Sequence, residues 1–218
     1  MIDPIHEIGF LFDLDGVIID SESEYSRIWM QLNKEFPTGI ENLEEIIKGS
    51  TLTQILSEYY ETDIVREHVA KRLHEMEDKM KYNYLPYAKE FLQELKKRNF
   101  SCALVTSSDN KKMLHLKEEL PDIFEFFDYI VTGNKVKTSK PSPEGYLLGA
   151  AGIKKSPNRC AVFEDSLQGV KAGFNAGSYV VGVCGTLSAE KLQPYSDILI
   201  NGFDELILED LIRILLKR

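Results

Sequence analysis

The chain alternates short, almost wholly apolar runs with stretches whose apolar residues recur at helical spacing. Six runs stand out: IGFLFDL from Ile8, SCALVTS from Ser101, YIVTG from Tyr129, CAVFED from Cys160, YVVGVCG from Tyr179 and DILI from Asp197. Continuous runs of this length, rich in Val, Ile and Phe, read as strands buried on both faces. Helical patterns lie between the later ones. In YAKEFLQELKKR, Ala88, Phe91, Leu92 and Leu95 fall at i, i+3, i+4 and i+7. SPEGYLLGA predicts another helix, with Ser142 as N-cap and Pro143 at its first position. This strand–helix rhythm predicts an α/β fold, a Rossmann-like parallel sheet with helices on both faces.

The rhythm breaks between about Ile18 and Asn83, where no strand candidate appears. So long a gap exceeds a single crossover. It carries helical patterns instead, the last of them with Val69, Leu73, Met76 and Met80 as a narrow apolar stripe. The simplest organisation is an α/β core of residues 1–17 and 84–218, with a small all-helical domain, residues 18–83, inserted after the first strand. The stripe is then helix packing within that insert.

Composition narrows the class. The chain has 218 residues, 43% of them hydrophobic and 28% charged, as in an ordinary soluble globular protein. Its 35 acidic residues against 26 basic ones give a net charge of −9, which argues against a nucleic-acid partner. No apolar run approaches a membrane span, and the N-terminus lacks a basic stretch leading into an apolar one. The three cysteines are scattered through apolar stretches and read as buried thiols. A cytoplasmic, soluble monomer is the expectation. His6, His68, His74 and His115 show no ligand spacing with acids.

In open α/β sheets, ligands bind beyond the carboxyl ends of the strands, so the residues closing each run carry the chemistry. The first run ends in Asp13 and Asp15, the second in Thr106-Ser107-Ser108, and the fourth in Glu164-Asp165-Ser166; KTSKPSP places Lys140 before a Pro-fixed helix start. On a strand, Asp13 and Asp15 would share one face, and two like charges so close repel unless a cation joins them. Hard oxygen donors from Asp13 and Asp165 suit Mg²⁺. A phosphate at the metal would meet the Thr106 hydroxyl, backbone N–H groups of the following helix start, and the Lys140 ammonium. Asp13 could attack phosphorus to form an aspartyl-phosphate, with Asp15 protonating the leaving oxygen and then activating water. Taken alone, Thr106 is a helix N-cap, Lys140 a surface lysine, and Glu164 either a partner for Lys140 or a metal ligand.

Asp13-x-Asp15-Gly16-Val17, Thr106 after a strand, Lys140-Pro141-x-Pro143 and Glu164-Asp165-Ser166-x-x-Gly169 resemble the four motifs of the haloacid dehalogenase superfamily, in the family's order and across nearly the whole chain. The arrangement is most similar to the β-phosphoglucomutase/phosphatase branch, with its helical cap after the first motif. The resemblance implies Asp13 as nucleophile and Asp15 as general acid/base. It implies Mg²⁺ held by Asp13, the Asp15 carbonyl and Asp165, with Glu164 at or near the metal. It also implies phosphate binding by Thr106, Ser107 and Lys140.

Three departures bear on substrate and cap. Similar mutases carry a His ten residues after the second Asp, and this chain has Tyr25 there. They carry an Arg three residues after a cap-loop Gly, where this chain runs Gly49-Ser50-Thr51-Leu52. A common Pro-Gly at the second cap junction is here Pro86-Tyr87. Tyr25, Gly49 and Thr51 remain the candidate cap contacts to substrate, with Arg27, Trp29, Lys48 and Gln54 more readily explained by packing or solvation. The expectation is a Mg²⁺-dependent phosphatase acting on a small phosphorylated metabolite, the alternative a sugar phosphomutase. A phospho-receiver module would put its accepting Asp after a middle strand, and no Asp closes SCALVTS. A nucleotide-binding dehydrogenase would need G-x-G-x-x-G after the first strand, which is absent.

Overall fold

The computed structural model describes residues 4–47 and 52–218, apart from the side chains of Pro4 and Thr53. Each of the six apolar runs forms a strand: β1 Gly9–Phe12, β2 Ser101–Val105, β3 Tyr129–Val131, β4 Cys160–Glu164, β5 Tyr179–Val183 and β6 Ile198–Ile200. They form one parallel sheet in the order β3-β2-β1-β4-β5-β6. Every residue of β1, β4 and β5 is buried, the burial that continuous apolar runs anticipate. The chain leaves β1 for β2 and β3 on one side, then crosses to β4, β5 and β6 on the other. The direction reverses between β1 and β4, and in such sheets the crevice beyond that reversal is where ligands bind.

The chain divides into two compact units, Met1–Asp20 with Asn83–Arg218, and Ser21–Tyr82. The first holds the sheet with helices α5 Ala88–Lys97, α6 Asn110–Glu119, α7 Glu144–Gly152, α8 Leu167–Asn175, α9 Ala189–Leu192 and α10 Leu208–Leu215. Ala88, Phe91, Leu92 and Leu95 are the buried face of α5. On one face of the sheet, Phe12 stacks on Phe163 at 4.5 Å between ring centroids, with Phe91 and Phe203 completing the aromatic cluster. On another, Leu11, Val105, Val162 and Tyr146 pack in one apolar cluster.

The regular elements among the second unit's described residues are all helices: α1 Ser21–Glu35, α2 Leu43–Ile46, α3 Leu52–Tyr59 and α4 Asp63–Glu77. Val69 and Leu73 of the predicted stripe are buried on α4. Met80 is buried too, beyond the helix end. Trp29 is buried as packing predicts. No helix among the described residues is long and apolar enough to cross a membrane. Cys102 and Cys160 are buried free thiols, and Cys184 is half-buried.

One local expectation needs correction. The helix after Lys140 starts at Glu144, with Pro143 in the capping position. Ser142 Oγ instead accepts the Glu144 N–H at 3.3 Å. Tyr87 explains why a glycine is common at its position: it sits at the start of α5 with φ of 62°, in the left-handed region. A bulky residue there is strained, and its side chain is mostly exposed. Tyr87→Gly should therefore stabilise the protein by about 0.5–1 kcal/mol, after the entropy cost of glycine is subtracted. Thermal unfolding would read this as a rise of about 2 °C; an unchanged or lower midpoint would contradict it.

Candidate active site

The site grows from the β1–β4 pairing. Their register places Phe12 beside Phe163, and the Asp13 N–H donates to the Phe163 carbonyl at 3.0 Å. Asp13 thus leaves β1 next to Glu164, the last residue of β4, and Asp165. Carboxylate oxygens of Asp13, Glu164 and Asp165 lie within 4.8 Å of one another, and all three residues are buried. Lys140 Nζ enters this cluster at 2.5 Å from both Asp13 Oδ1 and Glu164 Oε1, and donates to the Val105 carbonyl at 3.1 Å.

Glu164, fully buried, has donors on both oxygens. Oε1 takes Lys140 and the Tyr146 hydroxyl at 2.7 Å. Oε2 takes the Asp165 and Ser166 N–H groups at 3.2 and 3.3 Å and the Ser166 hydroxyl at 3.0 Å. Ser166 also caps α8, its Oγ accepting the Gly169 N–H. Gly169 must be glycine, since a Cβ there would lie 1.8 Å from the Glu164 carboxyl carbon. On the other side, Gly16 has φ of 71°, and a Cβ would come within 2.0 Å of Asp165 Oδ2.

Burial pushes the Asp13 carboxyl up to about 7, with the Glu164 and Asp15 charges adding to the rise and Lys140 opposing it. Burial, then Glu164 and Asp13, raise Asp165 well above the carboxylate range, against a hydrogen bond from Thr186. For Lys140, burial disfavours the charge, but Asp13 and Glu164 outweigh it and hold the ammonium above the ordinary lysine value. Fully ionised, the three clustered carboxylates would face one ammonium with two negative charges uncompensated, and the rise of Asp13 and Asp165 is the metal-free answer to that deficit. That deficit and an all-oxygen donor set fit a divalent hard cation.

Asp15 does not share a strand face with Asp13, because β1 ends at Phe12. Its carboxylate instead takes Lys112 Nζ at 2.6 Å on Oδ1 and the Ser108 hydroxyl at 3.0 Å on Oδ2, outside the three-carboxylate group. Thr106 is buried and is not a helix N-cap. Its hydroxyl accepts the Ser108 N–H at 3.0 Å, and Asp109 caps α6 through the Lys112 N–H. Ser107 is exposed at the same strand end, and its carbonyl lies against Gly133, where a Cβ would come to 2.5 Å. Sequence reasoning missed Lys112 and Tyr146.

In the second unit, the Tyr25 hydroxyl donates to Glu77 Oε1 at 3.1 Å, and Glu77 Oε2 lies 2.8 Å from His74 Nδ1. Leu52 opens α3. Gly49 and Thr51, with Lys48, lie outside the described residues.

Comparison with known proteins gives a family to the chain that sets these clustered acids and one lysine at a sheet reversal. The model of the haloacid dehalogenase-like hydrolases matches residues 10–183. A phosphorylated carbohydrates phosphatase from Thermotoga maritima is 32% identical over 189 residues, spanning 83% of this chain and 87% of that protein. Hexitol phosphatase A from Escherichia coli is 28% identical over 207 residues, spanning 91% and 92%. The solved β-phosphoglucomutase from Clostridium difficile is similar with a TM-score of 0.72 and 25% identity, over 96% of this chain and 99% of that one. The chain belongs to the haloacid dehalogenase-like hydrolase family.

Proposed function

We propose that this protein is a Mg²⁺-dependent phosphatase that hydrolyses a small phosphorylated metabolite, such as a sugar phosphate, through an aspartyl-phosphate on Asp13. The observation that carries this reading is the buried three-carboxylate cluster of Asp13, Glu164 and Asp165 around Lys140 at the sheet reversal. The phosphatase names of the two relatives above support it.

Asp13 and Asp165, with the Asp15 carbonyl, would hold Mg²⁺, while Glu164, whose oxygens already accept protein donors, anchors Lys140. When bound, the cation supplies charge neutralisation at the transferring phosphoryl group. Thr106, Ser107 and Lys140 bind and orient the phosphate. A carboxylate oxygen of Asp13 attacks phosphorus as the bond to the leaving oxygen breaks, and Asp15 gives that oxygen a proton. Asp15 then takes a proton from water, which attacks phosphorus, expels the Asp13 carboxylate and releases inorganic phosphate. Hydrolysis is favoured over transfer because Tyr25 and Leu52 supply neither the imidazole nor the guanidinium that similar mutases carry at those positions.

Initial rates with Mg²⁺ against a panel of phosphomonoesters test the activity. Expected is phosphate release from one or more sugar phosphates, and free glucose from β-glucose 1-phosphate if that substrate is accepted. Conversion of β-glucose 1-phosphate to glucose 6-phosphate outpacing phosphate release would overturn hydrolysis in favour of the mutase.

Metal binding should be linked to protons. Asp13 must be ionised to ligate, and in the metal-free protein its carboxyl titrates near 7. Mg²⁺ affinity should therefore fall as pH drops below 7, by about tenfold per pH unit from the Asp13 proton alone. The fall is steeper because Asp165, also raised by burial, must lose its proton too. Calorimetry in two buffers of different ionisation enthalpy should show proton release near pH 6. Affinity independent of pH between 5.5 and 7.5 would count against Asp13 as a ligand.

A further inference from the structure

We infer that Lys112 is the positioning residue for Asp15, holding its carboxylate in the orientation from which it serves the leaving oxygen. This inference rests on the phosphatase reading of Asp15 as general acid/base. Lys112 is the third residue of α6, in a first turn without acidic side chains. The positive end of the helix dipole disfavours a cation there. Local helix chemistry therefore does not explain the residue.

The contact across the chain does. Lys112 is only 18% exposed, and its Nζ lies 2.6 Å from Asp15 Oδ1. The Ser108 hydroxyl takes Oδ2 at 3.0 Å. Ser108 is itself fixed, its N–H donating to Thr106 Oγ1 and its carbonyl accepting the Gly133 N–H at 2.9 Å. Lys112 is fixed by the Asp109 cap on its own N–H at 2.8 Å. Asp15 is thus gripped at both oxygens from one continuous stretch, by Ser108 of the β2–α6 connection and Lys112 of the first turn of α6, while Lys140 grips Asp13. Two aspartates two residues apart are each bonded to a different lysine, which fixes a separate direction for each carboxylate. Asp15, 29% exposed at its side chain, would otherwise sample several rotamers, and small misplacements of a proton donor cost rate steeply.

The test uses Lys112→Met and Lys112→Arg with an alkyl phosphate, whose leaving oxygen needs a proton, and 4-nitrophenyl phosphate, which needs little help. Expected for Lys112→Met is a kcat/KM on the alkyl phosphate lower by about 30-fold and a loss in kcat/KM on the aryl phosphate of about threefold or less, because that ratio leaves out the water step common to both esters. Lys112→Arg should recover part of the alkyl rate. In an Asp15→Asn background, Lys112→Met should have no further effect. Equal losses in kcat/KM on both substrates, a rise in KM alone, or full additivity with Asp15→Asn would each overturn the role.

A thermal-unfolding cycle over the same variants is independent of turnover. The two melting shifts should be non-additive, and additive shifts would overturn the contact itself. If the wild-type protein hydrolyses neither ester, the function reading has failed, and the thermal cycle still decides whether Lys112 holds Asp15. If Asp15→Asn lowers kcat/KM on both esters equally, the acid role fails on its own, since that ratio leaves out the water step the two esters share.

Discussion

Asp13→Asn should abolish turnover while leaving the fold intact. The amide is a poor nucleophile, and losing the attacking group should cost about 10⁴-fold or more in kcat, with no phosphoenzyme formed. Stability should move the other way or hardly at all. Burial already pushes the Asp13 carboxyl up to about 7, so the metal-free fold holds its charge at a cost above neutral pH. A raised folded-state carboxyl binds an extra proton between its unfolded value near 4 and about 7, so its burden is relieved as pH falls through that window. Asn removes the burden at any pH and can still accept a hydrogen bond from Lys140. Residual turnover within tenfold of wild type would contradict the nucleophile, and a collapsed melting temperature would contradict the electrostatic account.

Lys140→Met should damage both activity and stability. The ammonium is the cation at 2.5 Å from both Asp13 and Glu164, and Glu164 is wholly buried. Breaking a buried pair by removing one partner costs about 3–5 kcal/mol, since the remaining charge has lost its compensation. For a chain of this size that is a fall of about 10 °C or more. The loss should be larger at pH 8 than at pH 5, because the clustered acids can protonate as pH falls and relieve the imbalance. Lys140 in the wild type stays charged across that range, held above the ordinary lysine value. An unchanged melting temperature at pH 8 would show that Lys140 does not stabilise the cluster.

The sheet was legible because strands buried on both faces need continuous apolar runs, and each of the six became a strand. The acids that close two of them were legible because the sheet reversal gathers strand ends, so Asp13, Glu164 and Asp165 come together where the pattern places them. Pairings across long sequence distance were not. Lys112 reads as one of several charges on a polar helix, and its contact with Asp15 spans 97 residues. Tyr146 reads as an apolar position of α7, and only its fully buried hydroxyl on Glu164 reveals a polar task. Turn chemistry misled in two places. Asp109, three residues beyond Thr106, caps α6, and Pro143 stands outside α7, since several capping residues in a row leave the first helical turn undetermined.

The most direct test of the account is acid quench of the protein during turnover of a hydrolysed phosphomonoester with Mg²⁺, followed by mass analysis of its peptides. The account predicts a phosphoryl group on the peptide carrying Asp13, localised to that residue, discharged by hydroxylamine, and absent from Asp13→Asn and from metal-stripped protein. Phosphate on another residue, or full turnover after exhaustive chelation, would contradict it.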